Sequence, residues 1–229
     1  MSASSLSARI EESFLRQLES FPEDTLRLLL VAAAEPVGDP TVVWRAAERL
    51  GVSDGALTPA ASAGLLEVGA WVRFRHPLVR SGVYRAASLS ERQRVHAALA
   101  EATNSETDPD RHAWHRAQAA SGPDEAVAEE LERSAGRAQA RGGLAAAAAF
   151  LERAATLSID PARRAERMLA AAQVNVLAGA FEAALWLLAA AEHWLSDEFE
   201  RARVDLPHEV PPRARSGASV VRRMAPRPE

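Results

Sequence analysis

With 229 residues and a formal charge of −4, the chain has room for one large domain or two small ones, and no chain-wide attraction to nucleic acid or anionic lipid. Alanine supplies 50 residues and every one of the 27 basic residues is Arg; with β-branched residues sparse, the composition reads as mainly α. Cysteine is absent, which excludes a disulfide scaffold, a Cys-ligated zinc site and a thiol nucleophile.

In chain order, Ile10, Phe14, Leu15, Leu18 and Phe21 recur at three-to-four spacing and predict an amphipathic helix. Pro22 fits the first position of a second helix, whose acidic start (Glu23, Asp24) complements the macrodipole and whose body, LRLLLVAAA, predicts a buried centre. Asp39 and Pro40 repeat the start signal for a third helix that stops at Gly51, and a shorter helix is expected from Asp54 to about Ala63. Leu65–Val68 and Trp71–Arg75 predict a hairpin around Gly69-Ala70, followed by a helix over Leu78–Ala86. Helices followed by a two-stranded wing make a winged-helix domain, assigned to residues 5–87. Its candidate recognition helix, 54–63, carries no basic residue, and residues 1–90 hold nine Arg against ten acidic residues. That is a poor DNA surface, so the unit is expected to be a packing module.

Residues 88–206 are predicted to be TPR-like helical repeats, an α-solenoid segment. Gly143 is followed by Ala147, Ala148, Leu151 and Ala154, and 36 residues later Gly179 is followed by Ala183, Ala184, Leu187 and Ala190. Asp124–Ala140 is expected to pair with Leu144–Leu157, and Ala162–Leu177 with Phe181–Trp194. Glu198–Leu206 reads as the start of a third pair, cut short. Two pairs are fewer than a free-standing solenoid needs, so something must cover the open end. Residues 207–229 hold five prolines, five Arg and no apolar period, and are expected to be a disordered tail. No apolar stretch approaches ~20 residues and the start, MSASSLSARIEES, has no basic region leading into an apolar run; no membrane span, no secretory signal and a cytoplasmic location are expected.

Catalytic signatures are missing: there is no GxxxxGK[ST] loop, GxGxxG, GxSxG or HExxH pattern, and the carboxylates fall on helix faces such as Glu129-Glu130-Glu132. The chain is expected not to be an enzyme. His112 and His115 lie three apart without further ligands nearby, so they read as satisfied or exposed histidines, not as a metal site; His96 and His193 read the same way. His76 stands apart, ending the second strand of Arg73-Phe74-Arg75-His76-Pro77 just before a helix begins. It either caps that helix or donates to a phosphate.

The strings RFRHPLVRSGVYRAASLSERQRVHAALAEAT and WHRAQAASGPDEAVAEELERSAGRAQARGGLAAAAAFLERAA resemble the middle of large ATP-binding LuxR-type transcriptional regulators of actinobacteria, signal-transducing ATPases of the STAND class. The resemblance covers roughly residues 5–206. It implies a winged helix and first TPR-like repeats that couple nucleotide state to a protein or small-molecule effector. No cofactor is expected in this chain; ATP or ADP and Mg belong to a full-length parent, and DNA binding to a domain absent here. It also implies that His76 contacts a nucleotide phosphate when an ATPase module is present, although Arg75 and Pro77 replace the family's flanking Met and Asp. The abrupt change after Leu206 reads as a frameshift or truncated frame, and Met1 as internal to a longer parent. The alternative is a free-standing TPR-like adaptor, and a third reading is a small DNA-binding winged-helix protein.

Overall fold

A computed structural model describes Leu18 and residues 20–205, apart from the side chains of His193 and of residues 195–205. Ile10, Phe14 and Leu15 of the predicted first helix, and the whole predicted tail, lie outside the described residues, as does His208.

The first described helix, α1 (Glu23–Ala34), starts one residue later than predicted: Pro22 is extended and occupies the cap position. Its apolar body is buried throughout Leu28–Ala34. α2 (Pro40–Arg49) begins as its sequence dictates, with the Asp39 carboxylate accepting from the Thr41 and Val42 amides and Pro40 in the first turn, where its missing N–H costs nothing. Gly51 ends it in the left-handed conformation. A 3-10 turn (Asp54–Ala56) leads into the short α3 (Leu57–Ser62), whose start Thr25 ties down through its hydroxyl to the Ala56 carbonyl.

β1 (Leu66–Val68) and β2 (Val72–Phe74) pair antiparallel in the register Leu66↔Phe74, Glu67↔Arg73 and Val68↔Val72. The loop between them is three residues, 69–71, so Trp71 lies in the turn and not in the strand. A two-residue primed turn needs positive φ at one or both central positions, and Gly69 is not among the positive-φ glycines. α4 (Pro77–Ala86) and α5 (Leu89–Ala102) complete this part, the latter opened by a reciprocal capping box between Ser88 and Glu91. One buried cluster holds Leu28, Leu29, Val31, Val43, Leu66, Val72 and Val83 together with Val95 and Leu99 of α5.

The rest is helical: α6 (Pro109–Ala119), α7 (Glu125–Ala140), α8 (Leu144–Leu157), α9 (Pro161–Leu177) and α10 (Phe181–Asp205). Successive helices pack as antiparallel pairs, and α5–α6 forms a pair ahead of the two predicted ones. Gln93 reaching Ala120 and His96 reaching His115 fix its antiparallel sense. α5 therefore shares its interior with the first cluster on one side and joins the helical array on the other.

Two sequence expectations are corrected. α10 runs unbroken to Asp205, with no stop before Glu198, because neither Gly nor Pro occurs between Ala180 and Leu206. The turns superimpose with an offset of 37, not 36. Gly142, not Gly143, is the left-handed partner of Gly179 (φ +78° and +79°), and the Gly143 amide on Ala138 O matches the Ala180 amide on Asn175 O. Only one glycine of a Gly-Gly pair sits at the left-handed position after a helix, and the string alone does not say which.

Arginine forks stitch the array. Arg167, almost fully buried on α9, reaches Glu125 and Glu132 of α7 and the Ser158 hydroxyl at once, while Asp110 of α6 receives both Arg137 of α7 and Arg141 just past its end. A planar guanidinium makes several directed bonds from one position, which a lysine ammonium does not. Among the described residues no helix is long and apolar enough to cross a membrane.

Candidate functional site

The chemistry concentrates where the α1–α2 turn and α4–α5 meet α6. Glu35 follows α1, and its carboxylate is fully buried. One oxygen, Oε2, accepts from the amides of Gly38 and Asp39; the other, Oε1, accepts from Arg111 Nη1 of α6 at 3.0 Å. Arg111 also reaches Asp39 Oδ2 at 3.5 Å, and its Nε lies 2.9 Å from Asp108 Oδ2 as an ion pair without hydrogen-bond geometry. Burial works against the Arg111 charge, but Glu35, Asp108 and Asp39 outweigh it and hold its pKa above the ordinary value. Arg80 of α4 closes the same corner, donating to the Ala33 and Glu35 carbonyls at 3.0 Å each. Gly38 brings the hairpin in: its carbonyl accepts from the Val72 amide at 2.7 Å, and at φ +80° any Cβ would collide with the Val72 carbonyl oxygen. A carboxylate this deep is stable only because two amides and a guanidinium satisfy it.

Beside this latch runs a chain of three side chains from successive helices. The Tyr84 hydroxyl of α4 lies 2.8 Å from His96 Nε2, and His96 Nδ1 of α5 lies 2.9 Å from His115 Nδ1 of α6. Both imidazoles are buried. Facing nitrogens require one donor and one acceptor, so at least one ring is neutral and the chain has two consistent polarities. Either Tyr84 donates to His96 and His96 to His115, or the order runs the other way. In both, His115 Nε2 is left buried without a hydrogen-bond partner among the described residues. Burial, then Arg92, pushes His96 down to about 4; burial, then His96, Arg111 and His112, pushes His115 down to about 3. Burial also raises the Tyr84 phenol, against the Arg92 guanidinium over its ring.

His76 lies outside this junction. It is exposed at the start of α4, where Nδ1 accepts from the Leu78 amide at 3.2 Å, so the capping role is realised. Of the other predicted histidines, His112 is half-buried near the junction and the side chain of His193 is not described. The His96–His115 pair escaped sequence reading because 19 residues separate partners whose contact depends on how α5 and α6 align. Among the described residues no group of three or more His, Cys, Asp or Glu is placed to hold a metal ion. A cleft of about 550 Å3 between α1, α4 and α5, with Leu26, Leu30 and Val83 in its wall and Glu23, Arg27 and Arg94 around it, includes none of these histidines.

No family model, curated protein or solved structure matches this chain.

Proposed function

We propose that this chain is a non-catalytic relay segment of a LuxR-type, ATP-dependent transcriptional regulator, in which a winged-helix unit is coupled to TPR-like repeats that sense a protein or small-molecule partner. The observation that carries this reading is the junction. Coupling between distant sites needs a packed element that both sides bias, and the buried Glu35–Arg111 latch and the Tyr84–His96–His115 chain tie α6, whose apolar face packs in the helical array, to the first unit. The order of helices, hairpin and helix supports the winged-helix assignment, and three antiparallel pairs, two of them closed by matching glycine turns, support the repeats.

ATP or ADP and Mg act, in this reading, on a nucleotide-binding module of the full-length parent, and DNA is bound by a separate domain. His76 is the residue of this chain that meets a nucleotide phosphate. Its Nδ1 accepts from the helix amide, so the neutral ring carries its proton on Nε2 and presents a donor near the exposed Arg73 and Arg75. In a parent carrying the ATPase module, His76→Ala is expected to weaken ADP retention; unchanged retention removes His76 from this role. ATP turnover by the purified chain alone, or tight operator binding, would overturn the relay reading as a whole. A free-standing TPR-like adaptor remains the second reading, favoured by the exposed Trp186 on the array, and coding sequence for neither an ATPase nor a helix-turn-helix around the gene would move the assignment to it.

A further inference from the structure

The near end of the array is closed by the first unit through α5, but the far end, α9–α10, has no following pair among the described residues. The turn register makes the consequence specific. With Gly142 on Gly179, Leu144, Ala148 and Leu151 of α8 correspond to Phe181, Leu185 and Leu188 of α10. Ala148 and Leu151 are buried in the cluster that α8 shares with α9, and Leu144 packs against it. Their counterparts are 63%, 67% and 39% exposed, and two of the three are larger. On α9, Leu169 and Val176 lie on the flank opposite Arg167, the residue that faces back to α7, and both are exposed; Leu177 extends the patch to the turn.

We infer that this end face is a self-association surface, on which a second copy of the chain seats the same α9–α10 face about a two-fold axis. The six exposures together equal about three whole side chains, roughly 600 Å2 per copy at about 200 Å2 for a large apolar side chain. That lies at the top of the ~300–600 Å2 range for the largest patch on a monomer, and two copies reach the ~1,000 Å2 that a specific interface needs. Phe181, Leu185 and Leu188 recur at four and three residues, a stripe that meets itself when two copies of α10 pack face to face, as an isologous contact requires.

Sedimentation equilibrium on the full chain tests this. The wild-type chain is expected to move from 24.6 kDa toward twice that mass as concentration rises into the range of about 10–100 μM. Leu185→Glu places a charge at the centre of the face and should weaken the dimer about 100-fold or more, with an unchanged helical circular-dichroism signal because Leu185 makes no core contact. Ile159→Glu, equally exposed at the α8–α9 turn, should leave the dimer intact. A wild-type chain that stays monomeric throughout, so that a different partner owns the face, overturns the inference. So does a dimer that Leu185→Glu leaves whole.

Discussion

Replacing Arg111 with alanine would strand the Glu35 carboxylate. Two amide donors, from Gly38 and Asp39, would remain on Oε2, but Oε1 would lose its Arg111 hydrogen bond and the buried charge its guanidinium. Breaking a buried pair from one side typically costs about 3–5 kcal/mol. The upper half of that range fits here, because Glu35 is fully buried and Arg111 is only 13% exposed. In a protein of this size each kcal/mol shifts the melting temperature by about 2–4 °C, so a drop on the order of 10 °C is expected. Denaturant unfolding followed by tryptophan fluorescence reads the loss as a lower midpoint. Hydrogen exchange should show the opening concentrated around residues 35–39 and 108–115. Glu35→Gln removes the stranded charge, so the double variant should lose at least about 1 kcal/mol less than the sum of the two single losses. A loss below about 1 kcal/mol for Arg111→Ala, or strict additivity in the cycle, would refute the latch as the coupling contact.

The histidine chain predicts a specific acid response. Unfolded imidazoles take up protons as pH falls through about 6.5, while folded His96 and His115 hold out until about 4 and about 3; stability is therefore complete above the unfolded value and is lost as pH falls. Between pH 6.5 and 5 ordinary carboxylates are silent, so each imidazole contributes up to about 1.4 kcal/mol per pH unit, and urea unfolding of His115→Leu should show a shallower slope than wild type; an unchanged slope would exclude the pair as the source. Gly38→Ala should cost more than about 2 kcal/mol, since its methyl meets the Val72 carbonyl at a left-handed position, whereas Gly51→Ala, left-handed but with open space around it, should cost only about 1–2 kcal/mol. Thermal melts that rank the two equally would mean that the hairpin weld contributes nothing.

Much of the secondary structure could be read along the chain because its causes are local. Asp39-Pro40 announces a helix start through bonds spanning two or three residues. The hairpin was legible in its strands but not in its turn, since Gly69-Ala70 does not dictate whether Trp71 belongs to loop or strand. The spacing of the two glycine turns was legible to within one residue, and that residue decides which side chains of α10 count as uncovered.

What the chain settled by itself was its helices, their caps and the apolar stripes that must be hidden, all consequences of contacts within one or two turns. What only the tertiary structure decided was which polar groups share an interior. Glu35 and Arg111 stand 76 residues apart, and His96 and His115 lie on different helices; no periodicity encodes either meeting. A buried charge or imidazole takes its energy from partners and burial that exist only after the elements pack, so neither can be read from the neighbours a residue has along the chain.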